Sequence, residues 1–389
     1  EVIDDFLATL QTKEKEEEKK AKRRVLGEVR LGMGSCCMAS GSADIYKELR
    51  KASDELGIDV DIKPVGCVGV CNKVPLIDVV MPDGQITRYP NVKAKEIKEI
   101  LHHHFKPAGL LKRIRNVVWN QLDTYHTDDT WDNVVWKSQN ERVGIINSFL
   151  SGQKHISTEG YGRLGPLNID DYLSHGGFDG LKKVLREMKP DEVVKTILES
   201  GLRGRGGGGF MTGKKWEIVA GVDQKEKYVI CNGDEGDPGA FMDRMMLESY
   251  PFRVIEGMIT AAYAVGANQG IFYIRAEYPL AVVRIRTAIQ ICREHHLIGE
   301  NILDSGFSFD ISIFEGAGAF VCGEETALIA SIEGKRGFPK QRPPYPAIAG
   351  LNGKPTLVNN VETLSQISYI IRNGVRKYRE IGTAGSAGT

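Results

Sequence analysis

Six glycines occupy nine consecutive positions in the middle of this chain, from Gly201 to Gly209. Glycine loses more backbone entropy on folding than any other residue, so such a run is unfavourable inside a helix or a strand. A flexible linker would be rich in glycine and serine. This segment and its continuation instead carry basic and aromatic side chains, namely Arg203, Arg205, Phe210, Lys214, Lys215 and Trp216. Bare backbone N–H groups can bind a phosphate or lie against a cofactor ring, so the segment predicts a nucleotide or flavin site, with an unspecified anion site as the alternative.

The composition narrows the class of protein. The chain has 389 residues, enough for two or three domains with cores of their own. Lys and Arg number 51 and Asp and Glu number 51, so no net charge attracts nucleic acid, and we expect no nucleic-acid partner. No apolar run is long enough to span a bilayer and the first residues are charged, which predicts a cytoplasmic protein without membrane insertion.

Seven cysteines are present, and four of them lie near the N-terminus at Cys36, Cys37, Cys67 and Cys71. An odd number clustered in this way does not resemble a secreted disulfide framework and favours a reducing compartment. Each of the two pairs follows a predicted strand on a glycine-containing loop. Two such groups suit a [2Fe–2S] cluster or zinc. Buried unligated thiols are the alternative, because two ligands from adjacent residues give poor geometry.

The first third of the chain divides into an arm, a small domain and a connection. Residues 1–26 contain a run of Lys and Glu and are expected to form a charged N-terminal helix or arm. Residues 27–112 predict a β-α-β-β-α unit, whose amphipathic helix has Ile45, Leu49 and Ala52 on one side. Residues 113–175 have weak periodicity and are interpreted as an extended connection.

Helices alternate with apolar strands from residue 176 onward. This alternation predicts an α/β domain over 176–375, with a sheet covered by helices on both faces. Strands are predicted at 228–231, 270–274 and 309–314, and helices at 181–188, 190–198, 253–265, 279–294 and 324–332. Residues 376–389 are interpreted as the start of a truncated C-terminal region, and the first residue, Glu1, suggests a trimmed N-terminus.

Polar residues follow the predicted strand at 228–231 directly. Open α/β sheets bind their ligands beyond the carboxyl ends of the strands. Asn232, Asp234 and Glu235 could therefore serve the ribityl chain or the edge of a flavin, and Asp237 could hold a ribose. An Asx-rich turn without a ligand is the alternative.

A second glycine loop at 316–323 runs into a predicted helix that has Glu324 and Glu325 in its first turn. Adjacent acids are poor phosphate ligands, but they suit hydroxyl groups and would repel a ribose 2′-phosphate. The alternative is that they only compensate the helix dipole. A proline-rich turn and a segment before a later helix add a cation, an aromatic ring and two amides, namely Arg342, Tyr345, Asn359 and Asn360.

Five segments together resemble the NADH-binding FMN flavoprotein subunit of respiratory complex I and its relatives in NAD-dependent and electron-bifurcating hydrogenases and formate dehydrogenases. The segments are residues 201–216, 231–241, 273–278, 316–326 and 350–363. The first domain resembles the thioredoxin-like ferredoxin domain of the hydrogenase and formate dehydrogenase members. The resemblance implies an α/β protein in which a thioredoxin-like ferredoxin domain precedes a larger Rossmann-like flavin domain.

Two bound molecules, FMN and NAD(H), are implied by the resemblance. FMN would be held by Gly204, Arg205, Gly206, Lys215, Asn232, Asp234, Phe320, Gly323, Glu324, Asn359, Asn360 and Thr363. NADH would stack on Phe210, with Asp237, Glu325, Arg342 and Tyr345 around its far end. Glu324 and Glu325 are the candidate catalytic residues because they would tune and position the reactants, while no side chain is expected to act as nucleophile or general acid.

The cysteine pattern departs from that of the family. Its thioredoxin-like clusters use C-x4-C followed by C-x3-C, whereas this chain has Gly32 at the first place and Cys36 beside Cys37. Either Cys36 replaces the missing ligand of an irregular [2Fe–2S] cluster, or the cluster is altered or lost. The family's [4Fe–4S] domain is expected beyond residue 389.

The function implied by the resemblance is that of a diaphorase-type subunit. Such a subunit exchanges hydride between NAD(H) and FMN and passes single electrons to iron–sulfur clusters. The implied partners are a thioredoxin-like [2Fe–2S] small subunit and a larger iron–sulfur or catalytic subunit. A non-catalytic electron-relay or scaffold module that has lost FMN is the alternative. The direction of electron flow, bifurcation and the attached enzyme are left open by the sequence.

Overall fold

The computed structural model describes residues 26–105, 126–127, 134–138 and 152–388. The chain forms two compact units, Glu1–Lys154 with Tyr161–Gly165, and His155–Gly160 with Pro166–Thr389. Residues 1–25 of the predicted arm over 1–26 and much of the predicted connection over 113–175 lie outside the described residues. Among the described helices, none combines the length and apolar character needed to cross a membrane.

The first unit contains a mixed six-stranded sheet in the spatial order β2-β1-β3-β4-β6-β5. Its strands are β1 Glu28–Gly32, β2 Asp61–Val65, β3 Ile77–Val80, β4 Ile86–Tyr89, β5 His126–Thr127 and β6 Val134–Ser138. Its helices are α1 Ser35–Ala39, α2 Ser42–Leu56 and α3 Ile97–His104. The β1–β2 and β4–β6 pairs are parallel, and the other three pairs are antiparallel.

Over residues 28–104 the structure contains all elements of the predicted β-α-β-β-α order, with one further strand and the short helix α1 as additions. Helix α2 has the apolar side that the sequence predicts, because Ile45, Leu49 and Ala52 are at most 3% exposed. It ends at Gly57, which adopts the left-handed conformation with a φ of 63°. The extra helix has a consequence for the cysteines, since Cys36 and Cys37 lie on α1 and not on a loop.

The second unit is built on a four-stranded parallel sheet in the order β10-β7-β8-β9. The strands are β7 Tyr228–Gly233, β8 Gln269–Arg275, β9 Asp310–Gly316 and β10 Thr356–Asn360, and a small hairpin pairs β11 Gly382–Thr383 with β12 Ser386–Ala387. The predicted α/β class is confirmed, and three of the four strands fall where the sequence predicts them. The fourth, β10, is an addition.

Twelve helices accompany this sheet in the described part of the second unit. They are α4 Ile169–Ser174, α5 Asp179–Glu187, α6 Pro190–Ser200, α7 Thr212–Ala220, α8 Met242–Ser249, α9 Pro251–Val265, α10 Pro279–Glu294, α11 Glu325–Ile332, α12 Pro346–Ala349, α13 Val361–Ser365, α14 Ile367–Asn373 and α15 Val375–Arg379. Proline occupies the first turn of α6, and Gly201 ends that helix with a φ of 71°. The glycine segment therefore begins where α6 stops and ends where α7 starts.

Candidate cofactor site

Two neighbouring strands carry asparagines at or next to their carboxyl ends, at the same edge of the parallel sheet. Asn360 of β10 is paired in register with Asn232 of β7. The Asn232 amide donates a 2.9 Å hydrogen bond to the carbonyl of Gly323, and its oxygen accepts one from the backbone N–H of Asp234. Asn232 thereby joins the strand end to the second glycine loop. The structure thus brings these predicted residues together at the carboxyl ends of the strands, where ligands of such sheets bind.

Asp234 carries a buried carboxylate that lacks hydrogen-bond partners. Its side chain has no exposed surface, and neither oxygen has a partner among the described residues. The nearest cation is Arg275, whose Nε lies 3.9 Å from Oδ1. Burial raises the pKa of Asp234 to about 6, and the charge of Arg275 opposes that shift. A buried acceptor without a donor is costly, so this carboxylate is suited to a ligand that brings donors of its own.

The glycine segment forms a tight loop that contacts the end of β10. Arg203 and Met211 form an antiparallel bridge across its base, and the Gly204 N–H donates to the Phe210 carbonyl at 2.8 Å. The Arg205 N–H donates to the hydroxyl of Thr363 at 2.9 Å. A β-carbon placed on Gly206 would lie 3.2 Å from that of Asn360, a tight contact, so the loop main chain approaches Asn360 closely here.

The outer side of the same loop is open. A β-carbon on Gly207, Gly208 or Gly209 would meet no atom of the described structure within 4 Å. Gly207 and Gly209 have positive φ values of 107° and 61°, a region that favours glycine. This bare main chain can therefore be approached closely by a flat or phosphate-bearing ligand.

The two arginines of the loop point to the hairpin near the end of the chain. Arg203 donates from Nε to the Gly385 carbonyl and Arg205 donates from a terminal nitrogen to the Ala387 carbonyl, both at 2.8 Å. The Arg205 side chain, which the sequence predicts as a cofactor contact, is thus engaged with the hairpin. Its Nε is buried and has no hydrogen-bond partner among the described residues.

Two basic side chains form ion pairs with Glu324 and Glu325 at the start of α11. Lys215 donates to Glu325 at 3.0 Å and to the Val358 carbonyl at 3.1 Å. Arg342 bridges the pair, at 3.0 Å from Glu325 and 2.7 Å from Glu324. Glu324 also accepts from two backbone N–H groups and so caps α11. Glu324 therefore has a helix-capping role, and two cations balance the charge of Glu325.

Three of the predicted contact residues have exposed aromatic side chains. Phe210 is 53% exposed, Phe320 is 68% exposed and Tyr345 is 53% exposed, values that are unusual for large apolar side chains. The guanidinium of Arg342 lies 6.0 Å from the centre of the Tyr345 ring. Asp237 is exposed as well. Such rings can stack against a planar ligand in a site that is open to solvent.

Three contacts of the site could not be inferred from local patterns. The Asn359 oxygen accepts from the Trp216 ring N–H at 2.8 Å, so this predicted ligand is held inside the protein. Glu235 accepts from the backbone N–H groups of Asp243 and Arg244 and so fixes the start of α8. Asp243, which no sequence pattern singled out, binds the Asn360 amide at 2.6 Å. The local sequence offers only one signal for Asp243, which is its position two residues after Phe241, just after the segment that follows β7.

The four predicted metal ligands belong to the first unit. Cys67 accepts from the Gly69 N–H at 3.2 Å, and hydrogen bonds from the Cys71 thiol and that N–H lower its pKa, while burial opposes the shift. A β-carbon placed on Gly32 would lie 3.2 Å from the sulfur of Cys37. Within the described ranges, no three His, Cys, Asp or Glu side chains converge in a way that could hold a metal ion.

Comparison with known sequences reveals a domain family and similar proteins. Residues 197–369 match the family model of the Nuo51 FMN-binding domain. The NADP-reducing hydrogenase subunit HndC of Solidesulfovibrio fructosivorans is 56% identical over 237 residues, which cover 61% of this chain and 48% of that protein. A subunit of the NADH-quinone oxidoreductase of Aquifex aeolicus (strain VF5) is 50% identical over 221 residues, 57% of this chain and 51% of that protein. The chain spans about half the length of these curated relatives.

A solved structure extends the similarity beyond the matched domain. The NAD+-reducing [NiFe]-hydrogenase in its H2-reduced state aligns with a TM-score of 0.51 and 28% identity, covering 95% of this chain and 56% of that one. The glycine loop, the strand-end asparagines and the start of α11 all lie inside the segment that the family model matches. Residues 197–369 are therefore similar to the Nuo51 FMN-binding domain family.

Proposed function

We propose that this chain is the NADH- and FMN-binding module of a multi-subunit oxidoreductase. In this role it exchanges hydride between NAD(H) and FMN and delivers single electrons to iron–sulfur clusters. The observation that carries the proposal is the buried carboxylate of Asp234, which lacks donors and stands at the strand ends of a domain from an FMN-binding family. The names of the relatives, a hydrogenase subunit and a quinone oxidoreductase subunit, support the same chemistry.

The residues at the strand ends fit the polar part of FMN. The ribityl chain and the ring edge of FMN offer hydroxyl and N–H donors, which the two free oxygens of Asp234 can accept. The open main chain of Gly207–Gly209 and the ammonium of Lys215 suit the phosphate and the ring face. The remaining predicted FMN contacts are proposed as neighbours of this core, namely Gly204, Arg205, Gly206, Asn232, Phe320, Gly323, Glu324, Asn359, Asn360 and Thr363.

The exposed rings and the acidic pair fit a nicotinamide dinucleotide. We place the dinucleotide against Phe210, with Asp237, Arg342 and Tyr345 toward its far end. Glu325 would accept from ribose hydroxyl groups, and its charge would disfavour the 2′-phosphate of NADPH. Lys215 and Arg342 already neutralise part of that charge. The preference for NADH over NADPH would therefore depend on whether these two ion pairs persist when the dinucleotide is bound.

The protein's part in the reaction is to bind and orient. FMN, when bound, supplies the exchange between a two-electron hydride and single electrons. The strand-end residues hold the polar groups of the flavin, and the aromatic side chains position the nicotinamide partner. Glu324 keeps α11 in place and orients Arg342, so its role is in positioning. No described side chain is required to give or take a proton at the reacting atoms.

The electron acceptors are proposed beyond the flavin domain. Cys36, Cys37, Cys67 and Cys71 are the candidates for an irregular [2Fe–2S] site in a thioredoxin-like domain over 27–112, and a [4Fe–4S] cluster is proposed after residue 389. A thioredoxin-like [2Fe–2S] small subunit and a larger iron–sulfur or catalytic subunit are the proposed partners. Both fit a protein of the cytoplasm, in which thiolate ligands stay reduced.

A visible spectrum tests the proposal. The chain is purified, stripped of flavin, mixed with FMN and passed over a desalting column, and bound flavin is measured by absorbance. We expect about one FMN per chain and NADH-dependent reduction of an artificial dye. A chain that retains no flavin and reduces no dye would support the scaffold alternative and refute the diaphorase function.

A further inference from the structure

The buried carboxylate of Asp243 reaches across the fold to the strand-end asparagine. Asp243 is the second residue of α8 and is 8% exposed. Its Oδ2 accepts a 2.6 Å hydrogen bond from the side-chain nitrogen of Asn360, which lies 117 positions later in the chain. A carboxylate can only accept here, so the bond fixes which way the Asn360 amide faces.

The other end of the Asn360 amide caps a helix. Its oxygen accepts from the backbone N–H of Glu362 at 3.0 Å and from that of Thr363 at 3.3 Å. Asn360 is thereby the N-cap of α13. A flipped amide would place its nitrogen against these N–H groups, so the bond to Asp243 and the cap are made or lost together.

This cap supports the glycine loop directly. The Thr363 hydroxyl, fixed in the first turn of α13, accepts from the Arg205 N–H at 2.9 Å. Gly206 packs closely on the side chain of Asn360, since a β-carbon there would lie 3.2 Å from that of Asn360. A continuous set of contacts therefore leads from Asp243 through Asn360 to the main chain at 205–206.

We propose that Asp243 is a positioning residue of the cofactor site, which holds the glycine loop in its binding conformation through the amide of Asn360. This inference rests on the proposed function, because FMN binding is what the loop is held for. Asp243 acts through Asn360 and is not itself a ligand of FMN.

The surroundings of Asp243 agree with a role that needs the hydrogen bond more than the charge. Burial raises its pKa to about 7, and the nearby charge of Glu235 acts in the same direction, while the bond from Asn360 opposes it. Glu362, whose pKa burial also raises, and the buried thiol of Cys231 face the same space. The charge of Arg205 opposes the rise in the pKa of Glu362.

An exchange of the two side chains tests the proposal. FMN affinity is measured by titrating the flavin-free protein and following the quenching of FMN fluorescence, and each variant's melting temperature is recorded. The titration is made well above about pH 7, where Asp243 is ionised. Asn360→Asp then keeps a good helix cap but places two acceptors face to face, so we expect FMN affinity to fall by about tenfold or more. Adding Asp243→Asn restores the hydrogen bond in the opposite direction, because the new amide at position 243 can donate to the carboxylate at position 360. We expect the FMN affinity of the double variant to recover to within about threefold of that of the unaltered chain.

Two single variants complete the design. Asp243→Asn alone keeps an oxygen toward Asn360, and we expect its affinity to stay within about threefold. Glu248→Gln is the control, because Glu248 is a buried acid of the same helix, at 2% exposure, whose side chain faces Arg244. We expect this control to leave FMN affinity unchanged whatever its effect on melting temperature.

The outcomes separate this inference from the proposed function. An unaltered chain that does not bind FMN refutes the function itself. An unaltered chain that binds FMN, together with an exchange variant as weak as Asn360→Asp, overturns the positioning role of Asp243. Full affinity in Asn360→Asp overturns it as well.

Discussion

The donor-free carboxylate of Asp234 should make flavin binding depend on pH. In the ligand-free protein burial raises its pKa from 3.8 to about 6. Hydrogen bonds donated by a ligand favour the charged carboxylate and lower this pKa again. Because the bound state then holds fewer protons than the free state, affinity increases as pH rises through about 6 and levels off above it.

The size of the effect follows from the two pKa values. If bound flavin returns Asp234 to its ordinary pKa near 3.8, affinity increases by about tenfold between about pH 5 and about pH 7. Riboflavin is the better probe, because the phosphate of FMN titrates near pH 6 on its own. The assay is quenching of riboflavin fluorescence at a series of pH values.

Substitution isolates the contribution of this one carboxylate. Asp234→Asn cannot titrate, so its riboflavin affinity should be nearly constant over the same range. Asp223→Asn, at an exposed position, is the matched control and should keep the full pH dependence. An equal slope in the unaltered chain and in Asp234→Asn would refute the reasoning and remove Asp234 from the binding site.

Two further predictions concern the loop and the acidic pair. In Gly208→Ala the added methyl group meets no neighbouring atom within 4 Å, so the melting temperature should stay the same. FMN affinity, measured by flavin fluorescence, should fall by about tenfold, because the methyl group would occupy the open side of the loop. Equal affinity would show that FMN does not approach this side of the loop. Glu325→Gln removes the charge that faces Lys215 and Arg342. The ratio of kcat/KM for NADH to that for NADPH should then fall by about tenfold in a dye-reduction assay. An unchanged ratio would show that Glu325 does not discriminate between the two dinucleotides at the ribose.

Local patterns in the sequence predicted most of the sheet and much of the candidate site. Strands β7, β8 and β9 are apolar runs followed by polar or glycine residues, and helix α10 has the predicted bounds. These elements could be predicted because the residues that specify each of them lie within a few positions of one another in the sequence. Strand β10 was not predicted, since it ends in two asparagines. Its extended conformation depends on pairing with β7, more than a hundred residues earlier.

The detailed roles of side chains depend on contacts between distant parts of the chain. A pattern of arginine among glycines suggests an anion contact, yet the Arg205 guanidinium binds a carbonyl 182 positions away. The Asn359 amide is engaged by Trp216 at a separation of 143 positions. No local motif records such pairings, so the sequence could predict which residues gather at the site but not which of them support the others.

The hydrogen bonds from Arg203 and Arg205 to the β11–β12 hairpin attach the glycine loop to a part of the domain outside the parallel sheet. Any shorter version of this domain that stops before Gly382 would leave two guanidinium groups without those acceptors, and the loop would have to find a new resting conformation. The hairpin is thus part of what fixes the conformation of the glycine loop, although it lies at the far end of the described sequence.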